Sequence, residues 1–408
     1  MQDGEAYNYN QEIMKQIHVF TIFGTPKSFY DGQFRYLADH GHEIILVSSE
    51  GEGTRDFAER NHIRFIPVEM PRALSPVAIL KAIKSLCAII KQEKPDAVFG
   101  HTPVGALCAM IAAKWCGVKN RIYYRHGVIY TTMKGTKYQL FKWEEKFVAS
   151  LATAVVNVSH SLSRLAAKDH LNADKKQHVI GHGTCGGIDA VNIFNPTLLN
   201  KTDLDATKMK LGLNDVDIVF GFCGRICNDK GVPELIDAFE LFRSKHKGLK
   251  AKLLLIGAMD IRDGVSGHYA GKINEDKDIV LSGRVEKKDI PYYYAMLDVF
   301  VFPSHREGFG MCAIEASAME KPLLVSKVHG CEDTIVEHLT GEYIGLDAEN
   351  ICQGMESMLD ADKRRFLGKN GRVKVLEWYD FRVMWPLVKE LYERILSDGD
   401  GDSDGFEQ

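Results

Sequence analysis

PSHREGFGMCAIEASAMEKP, residues 303–322, follows the apolar run VFVF (299–302). The run reads as a buried strand, the glycine-punctuated stretch as a loop, and the segment from Met311 as a helix of small residues. Gly308 and Gly310 let the backbone approach a ligand closely. A helix starting near Met311 turns free N–H groups and the positive end of its dipole into that loop, which suits an anion. Glu307 stands in the loop and Glu315 about one turn further along the helix. Loop and helix can thus offer one carboxylate to sugar hydroxyls and the other to a ribose. The plainer alternative makes Glu307 a capping residue and Glu315 a surface charge.

Working outward, a second strand–loop–helix unit is GFCGRICNDKG, residues 221–231. Gly224 permits the turn, and Arg225 and Lys230 place two cations at the mouth of the sheet. Crevices at strand C-termini are where such folds bind ligands. A diphosphate leaving group gains charge as its bond to a sugar breaks, and two fixed cations stabilise that charge without a metal. The competing reading is two exposed surface charges.

The same alternation extends through both halves. IHVFTI (17–22), EIILVSS (43–49), AVFG (97–100), IYYR (122–125) and AVVNV (154–158) are strand candidates in the first half. IVFGFC (218–223), KLLLIG (252–257), IVLSG (279–283), VFVF and PLLVS (322–326) are their counterparts in the second. Strands alternating with helices predict parallel sheets covered on both faces, hence two doubly wound, Rossmann-like α/β domains. We expect a leader over 1–15, an N-terminal acceptor-side domain over 16–195, a polar linker over 196–214 and a C-terminal donor-binding domain over 215–380. A helix over 381–396 is expected to cross back to the first domain, followed by a disordered acidic tail over 397–408.

A chain of 408 residues has room for two domains. Its nine cysteines are scattered, with no second pair at zinc-ligand spacing, and read as reduced thiols. No apolar run is long enough to span a bilayer, and the polar, acidic N-terminus is not expected to act as a secretion signal. The net charge of −4 hides a positive first half and a negative second half. Basic residues concentrate between Lys114 and Lys146, interleaved with aromatics, and Leu140, Trp143 and Phe147 form an apolar helical stripe beside Lys137, Lys142 and Lys146. The stripe is either core or a membrane-surface helix. No nucleic-acid partner is expected.

The stretch from Gly221 to Gly330 resembles the donor domain of family 4 retaining glycosyltransferases, which have the GT-B fold. The family's two glutamates separated by seven residues fall on Glu307 and Glu315, and its Lys-x-Pro-type turn on Lys321-Pro322. The resemblance implies that Arg225 and Lys230 bind the donor phosphates, that Glu307 holds the sugar hydroxyls, and that Gly283-Arg284 approaches the base. It implies donor contacts from Gly224, Gly308, Phe309, Gly310, Met311 and Glu315 as well. In the first half, GHTPVGALCAMIAAKWCGV (100–118) and RIYYRHG (121–127) resemble the family's His-Thr-Pro and His-Gly segments. His126 matches the histidine that lines the donor-sugar pocket, whereas His101 is expected to be structural or acceptor-side. The family's glycine-rich first loop is reduced here to FGTPK, with Gly24 alone.

His126, Arg225, Lys230 and Glu307 are the expected catalytic set, with no protein general base, because in this family the leaving phosphate helps to accept the acceptor proton. No cofactor or metal is expected besides the nucleotide sugar, which the resemblance implies to be UDP-linked; Asp215-Val216-Asp217 reads as a turn. The pattern is most similar to bacterial enzymes of capsule, O-antigen and lipid-linked glycan assembly. That implies a glycan acceptor on a polyprenyl diphosphate, and a cytoplasmic enzyme peripheral to the inner membrane. Two other readings share the architecture: a nucleotide-sugar 2-epimerase, and a binding protein without turnover. A dinucleotide dehydrogenase is disfavoured because no G-x-G-x-x-G follows the first strand.

Overall fold

Apolar runs flanked by helices pair here into two parallel sheets. The computed structural model describes residues 13–71, 75–184, 186–260 and 263–398. The first sheet contains β1 (Met14–Ile22), β2 (His42–Ser49), β3 (Arg64–Pro67), β4 (Ala97–His101), β5 (Asn120–Arg125), β6 (Ala154–Asn157) and β7 (Gln177–Val179). Its order is β3-β2-β1-β4-β5-β6-β7. The second contains β8 (Ile218–Cys223), β9 (Ala251–Ile256), β10 (Ile279–Leu281), β11 (Val299–Phe302), β12 (Leu323–Ser326) and β13 (Gly341–Ile344), in the order β10-β9-β8-β11-β12-β13. Every strand pair is parallel. The two doubly wound halves expected from the alternation are therefore present.

The strand order reverses between β1 and β4 in one sheet and between β8 and β11 in the other. Such switch points open a crevice outside the strand C-termini. Phe23-Gly24 and His101-Thr102 border the first crevice, and Gly224-Arg225 and the 303–310 loop border the second. The two crevices face each other, since Gly308 of one half lies against His126 and Gly127 of the other.

Three details differ from the sequence reading. β1 begins at Met14, which pairs with His42, so Met14 and Lys15 belong to the sheet and not to a leader. β3, β7 and β13 are additional strands at sheet edges. The polar stretch 196–214 carries a helix, Lys201–Lys210, capped by the Asn200 side chain. The remaining leader residues 1–12 and the tail residues 399–408 lie outside the described residues.

The last helix, Phe381–Asp398, does cross back. Trp385 donates from its indole N–H to the Gly186 carbonyl at 2.9 Å and packs on Tyr36, while Tyr392 lies against Phe99 of β4. No helix among the described residues is long and apolar enough to cross a membrane. Within the basic Lys114–Lys146 stretch, three cations turn inward. Arg125 is fully buried between Glu145 and Asn157, Arg121 donates to the Leu151 carbonyl, and Lys142 pairs with Asp169 at 2.9 Å. Lys142 is thus a structural residue and not part of a free basic face. Phe147 is half-buried and stacks on Trp143, which is exposed.

Candidate active site

The second-half crevice is built from two loops that brace one another. Asp229 carries three links: its carbonyl accepts from the His305 N–H, at 3.0 Å, and from the Ser304 hydroxyl, and its carboxylate pairs with Arg306. Gly231 ends the β8 loop with φ of 69° and lies so close to Pro303 that a side chain there would strike its carbonyl oxygen. A glycine is needed on both counts. The bracing sets Lys230 against Glu307, and their side chains form an ion pair, both largely buried. The two groups expected to meet phosphate and sugar thus neutralise each other.

Arg225 points to the other side of the same loop. Its guanidinium bonds Asp260 at 2.6 Å and keeps 56% of its surface exposed. It borders a recess of about 850 Å³ lined also by Gly224, Gly257, Met259, Arg284 and Ile290. Its lining mixes charged groups with apolar ones such as Met259 and Ile290, the combination a nucleotide needs. Gly283 has φ of 69°, which turns the chain after β10 so that Arg284 reaches this wall. Glu315 lies on the helix Met311–Ala318 and accepts from the Tyr294 hydroxyl at 2.9 Å. Burial pushes its carboxyl up to about 7, against the opposing effects of the Tyr294 bond and of Lys287. It borders a separate recess of about 430 Å³ between the domains, with Met311, Asp31, Lys287 and Trp385. Met311 also touches the other half directly, its sulfur 3.0 Å from the Thr184 hydroxyl.

Gly308 lies at a tight interdomain contact of the crevice. A Cβ built on it would fall 1.7 Å from the His126 carbonyl oxygen, and one on Gly330 would fall 2.5 Å from the Gly308 carbonyl oxygen. The Gly308 peptide is therefore held between the two halves, and only glycine fits. Phe309 is buried at 7% exposure, near Gly183 and against Tyr379. Gly310 precedes the helix and packs near Phe302 and Thr334. Gly24 opens the helix Gly24–Phe29 at the end of β1, where an added Cβ would meet Ile22 at an ordinary 3.8 Å.

The His126 ring turns into its own domain. Its Nε2 lies 3.0 Å from His101 Nδ1, and the ring stacks on Tyr124. Burial lowers it to about 4, so the imidazole is neutral. What His126 presents to Gly308 is its carbonyl. His101, read as structural or acceptor-side, is thereby joined to the site. Thr102, with φ of 62°, fixes that joint: its hydroxyl accepts from the Thr21 N–H and bonds the Thr21 hydroxyl at 2.7 Å, tying β4 to β1.

An interdomain clasp behind Gly308 was not foreseen from the sequence. Ser161, in the helix His160–Lys168, donates from its N–H and its hydroxyl to the Asp333 carboxylate, and its hydroxyl accepts from the Gly330 N–H at 2.8 Å. Arg164 pairs with Glu332 at 2.7 Å one turn further on. These residues are about 170 positions apart, and no local pattern marks them. Arg225, Lys230, Arg284 and Glu307 thus surround one side of the crevice. His126 and Gly127 form the other, and Glu315 lies at the rear.

Comparison with known proteins agrees with this geometry. Residues 33–184 match the model for Glycosyltransferase Family 4, and residues 204–374 the model for Glycosyl transferases group 1. The chain is 31% identical over 392 residues to the capsular polysaccharide biosynthesis glycosyltransferase CapM of Staphylococcus aureus, covering 95% of this chain and 100% of the relative. It is 25% identical over 362 residues to an Escherichia coli UDP-Gal:alpha-D-GlcNAc-diphosphoundecaprenol alpha-1,3-galactosyltransferase, covering 88% of this chain and 91% of that one. The crystal structure of a glycosyltransferase from Rickettsia africae superposes with a TM-score of 0.76 at 21% identity, covering 96% of this chain and 100% of that chain, a likeness of fold. With both halves matched and the relatives covered nearly end to end, the chain belongs to the group 1, family 4 glycosyltransferases and is a nucleotide-sugar-dependent glycosyltransferase of GT-B fold.

Proposed function

We propose that the enzyme transfers a hexose or N-acetylhexosamine, with retention of configuration, from a UDP-sugar to a glycan carried on a polyprenyl diphosphate during surface polysaccharide assembly. The observation that carries this reading is the Lys230–Glu307 pair at the β8/β11 switch point, beside the Arg225 recess. A donor diphosphate entering there offers Lys230 a stronger anionic partner and releases Glu307 toward the sugar hydroxyls. Arg225 and Lys230 then stabilise the charge that grows on the leaving phosphate. The Gly308 peptide and the His126 carbonyl close the sugar end. The relatives' names support the acceptor: the E. coli one acts on an undecaprenyl-diphosphate-linked sugar, and a Campylobacter jejuni one, 24% identical, does likewise.

Such an acceptor lies at a membrane, and the surface supports peripheral attachment. Leu140 and Trp143 are 53% and 61% exposed on one face of the helix Gly135–Leu151, beside exposed Lys134 and Lys137. The test is a panel of nucleotide sugars with and without a short-chain GlcNAc-diphosphate-lipid. Donor consumption only when acceptor is present, with an α-linked product, is expected. Donor converted without acceptor would favour epimerisation, and binding without turnover would favour a non-catalytic role; either overturns the proposal.

A further inference from the structure

Behind the crevice, a carboxylate of one domain caps a helix of the other. The helix His160–Lys168 follows β6, and the first N–H groups of a helix have no partner within it. The Ser159 side chain accepts one of them, from Leu162. The Asp333 carboxylate of the second half accepts another, from Ser161, at 3.1 Å. Asp333 is held in place from its own side. Its carbonyl accepts from the Tyr379 hydroxyl at 3.0 Å, and the next carbonyl, of Thr334, accepts from the buried Lys374 ammonium.

The Ser161 hydroxyl joins this cap to the donor loop. Ser161 is 1% exposed, so its bonds are made without competition from solvent. A carboxylate oxygen accepts and a backbone N–H donates. The hydroxyl therefore gives its one proton to Asp333 and accepts from the Gly330 N–H at 2.8 Å. The Ser159 hydroxyl, 3.3 Å away, fits as a second donor to it. Gly330 in turn shapes the loop. Its carbonyl accepts from the Gly310 N–H at 3.1 Å. Its φ of 78° and its lack of a side chain let it lie against Gly308, where a Cβ would come within 2.5 Å of the carbonyl oxygen. Gly308 also meets the His126 carbonyl. β5 and β6 are neighbours, with Arg125 beside Asn157, so His126 and the 160–168 helix leave adjacent strand ends. The first half thus holds the 307–310 loop at two points, directly at His126 and through Gly330 at Ser161.

We propose that Ser161 is a positioning residue for the donor loop: by holding Gly330, it makes the shape of the 307–310 loop depend on closure of the two domains. With the clasp broken, the loop keeps this shape for only a fraction of the time. A donor that needs the shape then binds with an apparent affinity lowered by that fraction. Saturating donor restores the shape, so the loss falls on KM and spares kcat. The effect on the donor rests on the transferase reading; the hold on the loop does not.

The experiment is hydrogen exchange of the full chain, read by mass spectrometry of peptides covering 307–310 and 328–334, beside steady-state kinetics with the donor. Ser161→Ala removes both bonds of the hydroxyl and keeps the Ser161 N–H. It is expected to speed exchange in these peptides by at least about tenfold while β8 and β9 keep wild-type protection. Donor KM is expected to rise about ten- to a hundredfold, with kcat within about threefold of wild type. Asp333→Asn, which keeps an acceptor for the Ser161 N–H, is the second variant should Ser161→Ala not fold. Arg164→Ala, which breaks the pair of a 65% exposed arginine with Glu332, is the control and should stay within about twofold of wild type. Wild-type exchange in the loop peptides of both clasp variants overturns the proposal, and so does an unchanged donor KM. An equal effect of Arg164→Ala would overturn the assignment to Ser161. Because exchange is read without nucleotide sugar, failure of the transferase reading and failure of the clasp to hold the loop are separate results.

Discussion

Lys230 and Glu307 are ion-paired across the two loops of the donor crevice, so the residues expected to meet phosphate and sugar are held by each other before either is engaged. Removing one partner has different consequences for the two ligands. Lys230→Ala leaves a largely buried Glu307 without its cation and removes a phosphate contact. We expect kcat/KM to fall by about 10²–10³, the scale of one electrostatic transition-state donor. Glu307→Gln releases Lys230, so affinity for UDP alone is expected to hold or rise while donor-sugar turnover falls. Titration calorimetry with UDP beside steady-state kinetics with the full donor checks this. Equal loss of UDP affinity in both variants would show that the pair is merely structural.

Gly308→Ala should act through geometry alone. The added Cβ would fall 1.7 Å from the His126 carbonyl oxygen and 2.6 Å from its carbon. Both are backbone atoms of the other domain, so the domains must part to admit it. Overpacking of this kind costs about 1–3 kcal/mol where the structure cannot yield. If the two domains part to relieve the clash, a modest change in melting temperature is expected, with activity reduced at least about a hundredfold. Gly248→Ala, where the added atom meets nothing within 4 Å, is the control and should change stability by less than about 0.5 kcal/mol. Near-normal kcat/KM for Gly308→Ala would mean that this contact is absent from the working conformation.

Much of this arrangement was legible in the sequence, for a physical reason. Strands buried on both faces read as continuous apolar runs, and β4, β8, β11 and β12 are such runs. Edge strands are not: β3 (RFIP) is exposed at both ends, and β7 (QHV) is only half-buried. The glycine-bordered loops could be found because the chemistry and the turn lie within one short stretch. The Ser161–Asp333 clasp and the His18–His101 contact could not, because each joins polar residues from distant parts of the chain. Lys142 was misplaced because helical spacing gives a direction but not the presence of Asp169 beyond it.

Glu315 makes stability depend on pH in a direction opposite to most carboxylates. Its folded value, about 7, lies above the ordinary 4.5, mainly because burial disfavours the charge. The native state therefore holds this proton more tightly than the unfolded chain does. The group's contribution is most favourable below pH 4.5 and is lost as pH rises toward 7, a cost on the order of 3 kcal/mol. Glu315→Gln keeps an acceptor for the Tyr294 hydroxyl and cannot ionise. We expect it to melt above wild type at pH 8 and close to wild type at pH 5. Parallel melting curves for the two proteins across that range would rule out this origin of the pH dependence.

The last prediction concerns the membrane face, which the structure narrows. Of the aromatics interleaved with the basic stretch, Tyr123, Tyr124 and Tyr130 are buried, and Lys142 is tied to Asp169. Leu140 and Trp143 remain as exposed apolar groups on one face of the helix, with exposed Lys137 one turn before Leu140 and exposed Lys134 at the helix N-cap. An exposed tryptophan suits the headgroup region, and each lysine near an anionic surface contributes about 1 kcal/mol. Binding should therefore be weak, reversible and sensitive to salt. The measurement is co-sedimentation with liposomes containing anionic lipid and with neutral ones, at low and high salt. Lys134→Glu with Lys137→Glu should abolish the preference for anionic liposomes. Leu140→Ser with Trp143→Ser should reduce binding to both kinds, while leaving turnover of a water-soluble acceptor analogue unchanged, because neither residue lines the crevice. Negligible wild-type binding under every condition would remove this face as a membrane contact, and the donor-site predictions would stand unaffected.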